Sequence, residues 1–196
     1  MSPVFLPEGG YAMKNILVKD LMVPLADYAT VSEDATLFEA VLALEEAQER
    51  FDRSRDRHRA VLVLDKEGRV VGKISQLDVL RALEPRYAAM GDFKGSSRLG
   101  FSAEFIRSLM EKYSLWEKPL HDICRKASQI KVKTVMYSPT EGEYVEEDAT
   151  LDKAIHQLVV GHHQSLLVTR GKEIVGILRL TDVFREVCNM IKACEI

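Results

Sequence analysis

VKDLMVPLADYATVSEDATLFEAV, residues 18–41, returns 114 positions later as VKTVMYSPTEGEYVEEDATLDKAI, residues 132–155. Ten of the 24 aligned positions are identical, where average composition would give roughly one or two. A second pair follows. GRVVGKISQLDVLRA (68–82) lies against KEIVGILRLTDVFRE (172–186) at an offset of 104, with five of 15 positions identical. Gly72/Gly176, Asp78/Asp182 and Val79/Val183 are among them. One unit therefore occurs twice, and the first copy carries ten extra residues in its middle. Two copies are too few for a stacked solenoid, which needs about three. A duplicated pair burying one shared core is the expected architecture.

Each copy has the same local pattern. Thr36 with Glu39 three residues on is a capping box, and Leu37, Val41 and Leu44 follow at helical spacing. Leu151, Ile155, Leu158 and Val159 repeat that spacing without the Glu. The apolar run Ala60-Val61-Leu62-Val63-Leu64, bounded by Asp65-Lys66-Glu67-Gly68, predicts a buried strand and turn. Ser165-Leu166-Leu167-Val168-Thr169 is its match. A second strand, Val70–Ile74 or Ile174–Leu178, closes each hairpin, and a helix follows from Ser75 or from about Leu180. Strand, helix, strand, strand, helix implies an α+β (mixed α/β) fold. Leu62, Val63, Leu167, Ile177 and Leu178 are the expected core.

Composition sets the outer bounds. The chain has 196 residues, 46% hydrophobic and 29% charged, with 27 Lys and Arg against 30 Asp and Glu. The balance of −3 disfavours nucleic-acid binding over the whole surface. No run of 18 apolar residues suits a membrane span. The opening MSPVFLPEGGYAMKN lacks the pattern of a secretion signal. With Cys124, Cys188 and Cys194 as sparse, unpatterned thiols, a cytoplasmic protein is expected.

The copies are separated by residues 84–131. Gly91, Gly95, Ser96, Ser97 and Gly100 predict a loop. Ser102 is placed to cap a helix with Phe105, Ile106, Leu109, Met110 and Tyr113 on one face, and Pro119 to open a second with Leu120, Ile123 and Ala127. These faces either pad the core or meet a partner.

Together the VKDLM and VKTVM openings, the VSEDATL and VEEDATL helix starts and the GKISQLDVL and GILRLTDVF segments resemble a tandem pair of CBS domains, the cystathionine-β-synthase-type regulatory module. The resemblance covers 18–83 and 132–187, with 1–17 an N-terminal extension, 84–131 a helical insertion and 188–196 a tail. It implies two βαββα units packed around a pseudo-twofold axis, and two clefts for adenosine-containing ligands. It also implies a homodimer.

The family pattern Gly-x-x-Ser/Thr-x-x-Asp is filled by Gly72, Ser75 and Asp78. A carboxylate can accept from both hydroxyls of a ribose, a helix start favours phosphate, and glycine admits close backbone approach. The plainer alternative is that Ser75 only caps the helix and Asp78 only favours its first turn. The second copy keeps Gly176 and Asp182 but has Arg179 in place of Ser or Thr. That cleft is then either filled, or Arg179 is a phosphate clamp; an ion pair with a nearby carboxylate is the structural alternative. Arg59, in a mixed-charge stretch with Arg50, Arg53, Arg55, Arg57 and His58, precedes the strand where relatives carry a phosphate contact, and His163 is read as its match. By resemblance alone, adenine lies against Tyr28, Ala29, Thr30 and Val31, or against Glu143-Tyr144-Val145. His156, His162 and His163 have no partner pattern for a metal. No catalytic constellation is present.

The sequence is thus expected to be a non-enzymatic regulatory module that binds AMP, ADP or ATP and signals energy state to an unknown effector protein through a change of shape. The arginines favour a phosphate ligand over S-adenosylmethionine. A ligand-free scaffold for dimerisation or partner binding is the alternative.

Overall fold

The computed structural model describes residues 16–50, 57–84, 86–89, 102–115 and 120–193. In chain order the elements are α1 (Val18–Leu21), β1 (Val23–Pro24), β2 (Thr30–Ser32), α2 (Leu37–Arg50), β3 (Ala60–Leu64), β4 (Val70–Ser75), α3 (Gln76–Leu83), α4 (Arg86–Ala89), α5 (Ala103–Tyr113), α6 (Leu120–Gln129), β5 (Tyr144–Glu146), α7 (Leu151–Gly161), β6 (Ser165–Arg170), β7 (Glu173–Arg179) and α8 (Leu180–Ala193). The fold is mixed α/β, as expected. Gly91, Gly95, Ser96, Ser97, Gly100, Arg53, Arg55, Pro119 and Cys194 lie outside the described residues.

The chain forms two compact units. One takes its described residues from Ala29–Glu46 and Arg59–Ser138, the other from Met1–Tyr28, Ala47–His58 and Pro139–Ile196. The first has a three-stranded sheet, β2-β3-β4; the second has a four-stranded sheet, β1-β7-β6-β5. In both, a parallel pair (β2/β3 or β5/β6) adjoins an antiparallel hairpin (β3/β4 or β6/β7).

In the three-stranded unit α2 starts at the expected capping box. The Thr36 N–H and hydroxyl donate to Glu39 Oε2 at 2.6 and 2.7 Å, and the Glu39 N–H donates to Thr36 Oγ1 at 3.2 Å. Leu37, Ala40, Val63, Ile74 and Val132 form the buried centre, with Val31, Val79, Leu83 and Ile130 packed around it. In the four-stranded unit Val18, Val145, Leu151, Ala154, Leu158, Leu166, Val168, Leu178 and Val183 do the same. Leu62, Val63, Leu167, Ile177 and Leu178 are all buried.

The compact units are not the contiguous repeats. Each repeat's opening completes the core of the other. Val132 opens the second copy yet lies among Leu37, Val63 and Ile74 of the first. Val18 opens the first copy yet lies among residues 145–183. The hydrogen bonds are reciprocal. The Leu37 N–H donates to Ile130 O and the Val132 N–H to Ala35 O; the Leu151 N–H donates to Ile16 O and the Val18 N–H to Ala149 O. Likewise β1 pairs with β7 through Val23 and Ile177, while Tyr137 bridges to Lys73 on β4.

This exchange explains the two motif glycines. A Cβ on Gly176 would lie 2.5 Å from Val23 O, and one on Gly72 would lie 2.7 Å from Met136 Sδ and 3.1 Å from Tyr137 O. At Gly176 the close approach that requires glycine is made by the backbone of β1, and at Gly72 it is made mainly by the Met136 thioether of the second repeat's opening.

The insertion forms the expected helices. The Phe105 N–H donates to Ser102 Oγ at 3.1 Å. Arg86 donates to the carbonyls of Tyr113 and Ser114 at the end of α5, and Lys126 on α6 donates to Leu83 O at the end of α3. Leu109 and Tyr113 are half-buried, whereas Phe105, Ile106 and Met110 are exposed. No described helix is long and apolar enough to cross a membrane.

Candidate functional site

Strand direction assembles the site in the three-stranded unit. β2 and β3 run parallel and β4 runs opposite. The start of β2 at Thr30, the start of β3 at Ala60 and the end of β4 at Ser75 therefore share one end of the sheet. Thr30 pairs with Leu62, and Ala60 pairs with Ser75. The Leu62 N–H donates to Ala29 O at 2.9 Å, and the Gln76 N–H donates to Arg59 O at 3.1 Å. Ala29, Thr30, Arg59, Ser75 and Asp78, scattered over 50 residues of sequence, meet at this corner.

The start of α3 shapes the corner's chemistry. The Ser75 N–H and Oγ donate to Asp78 Oδ2 at 2.9 and 2.6 Å, and the Asp78 N–H donates to Ser75 Oγ at 3.2 Å. This closed capping box fixes the carboxylate's orientation while engaging one oxygen only. Among the described residues no donor bonds Asp78 Oδ1. The carboxylate is thus held in place with an acceptor to spare, at the end of α3 where the helix dipole favours anions. Capping and ligand binding are compatible here, because they use different oxygens. Arg59 is exposed beside it, Ala29 is buried and Thr30 is half-buried.

The four-stranded unit builds the same corner differently. Ser165 pairs with Arg179 as Ala60 does with Ser75, and the Leu180 N–H donates to Gln164 O as Gln76 does to Arg59 O. Arg179 and Asp182 are both buried, with side-chain exposures of 6% and 1%. Arg179 Nε donates to Asp182 Oδ2 at 2.5 Å and Nη2 to Oδ1 at 2.8 Å. Arg185 also donates to Oδ1, at 2.8 Å. The ion pair, one of the alternatives left open by the sequence, is the arrangement present. His58, fully buried, places Nδ1 3.4 Å from Arg179 Nη1. Tyr28 packs its ring edge against His58, centroids 4.4 Å apart.

The strand register corrects one equivalence. Arg59 is matched by Gln164, not by His163, because the second hairpin is one residue shorter than the first. His163 follows the left-handed His162 and folds its ring over Gly161, where a Cβ would meet Nε2 at 2.1 Å. Its ring also lies near Gly142.

A family model for the CBS domain matches residues 18–85 and 132–189. The chain belongs to the CBS-domain family. Its fold is shared by a CBS domain-containing protein of unknown function from Bacillus anthracis, with a TM-score of 0.60 and 17% identity over 90% of this chain and 96% of that one. The protein CBSX2, solved in complex with AMP, gives a TM-score of 0.55 and 18% identity over 88% and 97%. The CBS domain of a bacterial CNNM/CorC family Mg2+ transporter, solved in complex with ATP, gives 0.56 and 15% over 90% and 89%. No curated protein matches the chain.

Within this CBS pair, two features of the second corner escaped sequence reasoning. His58 stands in the mixed-charge stretch before β3, which reads from sequence as solvated. Arg185 stands one turn after Asp182 and matches Arg81 in the repeat, a signal that was available.

Proposed function

We propose that this CBS pair is a regulatory module that binds an adenine nucleotide (AMP, ADP or ATP) at the Ser75–Asp78 corner. The ribose hydroxyls donate to Asp78 Oδ1, the base lies along Ala29 and Thr30, and the phosphates meet the start of α3 and Arg59. The observation that carries this reading is the half-engaged carboxylate: Ser75 holds Oδ2 and leaves Oδ1 available. The AMP and ATP complexes of structural relatives support the ligand class. The module acts in the cytoplasm as a homodimer and passes its ligand state to an effector protein by a change of shape. Dimerisation is supported by Leu77 and Leu80 on α3 and Phe184 on α8, all more than half exposed.

A thermal-shift screen with AMP, ADP, ATP and S-adenosylmethionine tests this, since a ligand of the folded state raises the melting temperature by mass action. Asp78→Ala is expected to weaken the responding nucleotide about ten- to a hundredfold, from roughly 1.5–3 kcal/mol for charge-assisted hydrogen bonds. No shift at millimolar nucleotide favours the ligand-free scaffold, and a shift with S-adenosylmethionine alone reassigns the ligand.

A further inference from the structure

The two corners share one backbone plan and differ in who occupies the carboxylate, and we propose that the Arg179–Asp182 corner is a latent nucleotide site held shut by its own arginine. This rests on reading the Ser75–Asp78 corner as a nucleotide site. Asp182 stands where Asp78 stands, three residues after the last residue of its strand, in the first turn of the following helix. Arg179 stands where Ser75 stands, opposite the first residue of the preceding strand. A serine there engages one oxygen of the carboxylate. The guanidinium engages both, Nε on Oδ2 and Nη2 on Oδ1, and Arg185 adds a further donor to Oδ1.

A ribose offers two neutral hydroxyl donors. Arg179 already supplies two parallel, charge-assisted bonds in the same fork, and such bonds are stronger than neutral ones. Displacement would also leave two buried charges apart. Their exposures of 6% and 1% show that the pair is sealed by the protein. His58 at 3.4 Å, backed by the ring of Tyr28, closes the guanidinium from another direction. Arg179 therefore imitates the ligand. The chain holds one nucleotide, and the sealed corner serves as a fixed counterpart to the responsive one.

The substitution Arg179→Ser restores the Ser-x-x-Asp arrangement and removes the two-bond fork, and Arg185, whose side chain is 37% exposed, can turn from Oδ1 to solvent. Calorimetric titration with ATP and with AMP counts the sites, with circular dichroism checking the fold. At nucleotide concentrations that just saturate the wild type, the wild-type chain is expected to bind one nucleotide, Arg179→Ser two, Asp78→Ala (weakened about ten- to a hundredfold) none, and the double variant one. If Arg179→Ser stays at one beside a wild type of one, the latent site is overturned while the Asp78 reading stands. If the wild type binds none and Arg179→Ser binds one, the Asp78 reading fails and the latent site stands. If none of the four binds, both fall. If Asp78→Ala keeps a nucleotide that Asp182→Asn removes, Arg179 is a ligand contact and the proposal is overturned. Arg179→Thr replaces the serine variant should that one not fold. The wild-type and Asp78→Ala counts decide against a sealed corner without either.

Discussion

Replacing Gly176 by alanine tests the reciprocal exchange of the repeat openings. The new Cβ would stand 2.5 Å from Val23 O, 3.3 Å from Val23 C and 3.0 Å from Met22 Sδ. Ordinary contact begins near 3.4 Å, so the carbonyl must retreat by close to 1 Å. It belongs to β1, a two-residue strand paired with Gly176 and Ile177. The retreat therefore strains or breaks the pairing that holds the first copy's opening to the second. Overpacking of this kind costs about 1–3 kcal/mol, and about 2–4 °C of melting temperature accompanies each kcal/mol at this chain length. Gly72→Ala is the internal control. Its Cβ meets mainly the thioether of Met136 at 2.7 Å, with Tyr137 O at 3.1 Å. A methionine side chain can turn aside, whereas the gain of about 0.4–1 kcal/mol from the lower entropy of the unfolded chain is common to both variants. The net loss should stay below about 1 kcal/mol. Urea unfolding followed by circular dichroism measures both. Equal losses, or a greater loss for Gly72→Ala, would refute the backbone-contact argument.

Ser75→Ala, measured without nucleotide, removes the hydroxyl half of the α3 capping box and should lower stability by about 0.5–2 kcal/mol in urea unfolding; an unchanged midpoint would show that the box is not formed in solution. Leu37→Ala empties a fully buried position beside Val63, Ile74 and Val132 and should cost about 2–5 kcal/mol, and a smaller loss would mean that α2 relaxes into the gap. Acid should destabilise the fold through four surface carboxylates held below their ordinary range. Asp34 is held down by the hydrogen bond from Lys133, Glu39 by those from Thr36, Asp65 by that from Arg69 and Glu147 by that from Arg170. Because the folded values are lowered, this stabilisation is complete above the unfolded carboxylate range near about pH 4. It is lost as pH falls through the depressed folded values. Urea midpoints should fall as pH drops below about 4, less steeply in high salt for the three ion-paired carboxylates, and a flat profile would contradict the pairing.

The local plan of the fold was legible because each copy repeats signals with physical causes. Thr36 and Glu39 announced the start of α2, Ser102 that of α5, and the AVLVL run the buried β3. The Ser75–Asp78 pair was legible from its spacing. What remained open was which partner a side chain takes. Arg179 as clamp and Arg179 as ion pair have the same spacing to Asp182; only burial and the two-oxygen fork separate them. The exchange of openings was hidden because VKDLM and VKTVM are nearly interchangeable, so no local feature says which core each one enters. Gln164 was missed at Arg59's position because the shorter second hairpin shifts the offset by one residue between β6 and β7.

The exchange also bears on how the chain is made. During synthesis the first repeat emerges with its own opening committed to partners more than a hundred residues away. Lys19 waits for Asp148, and Val18 waits for Leu166 and Val183. The sheet that carries Ser75 waits in turn for Val132. Such distant pairings are slow to close, and the half-built chain exposes apolar residues meanwhile. Neither repeat is a self-sufficient folding unit. A chain cut within 84–131 would yield two fragments that each lack a core residue, and that regain it only by finding each other.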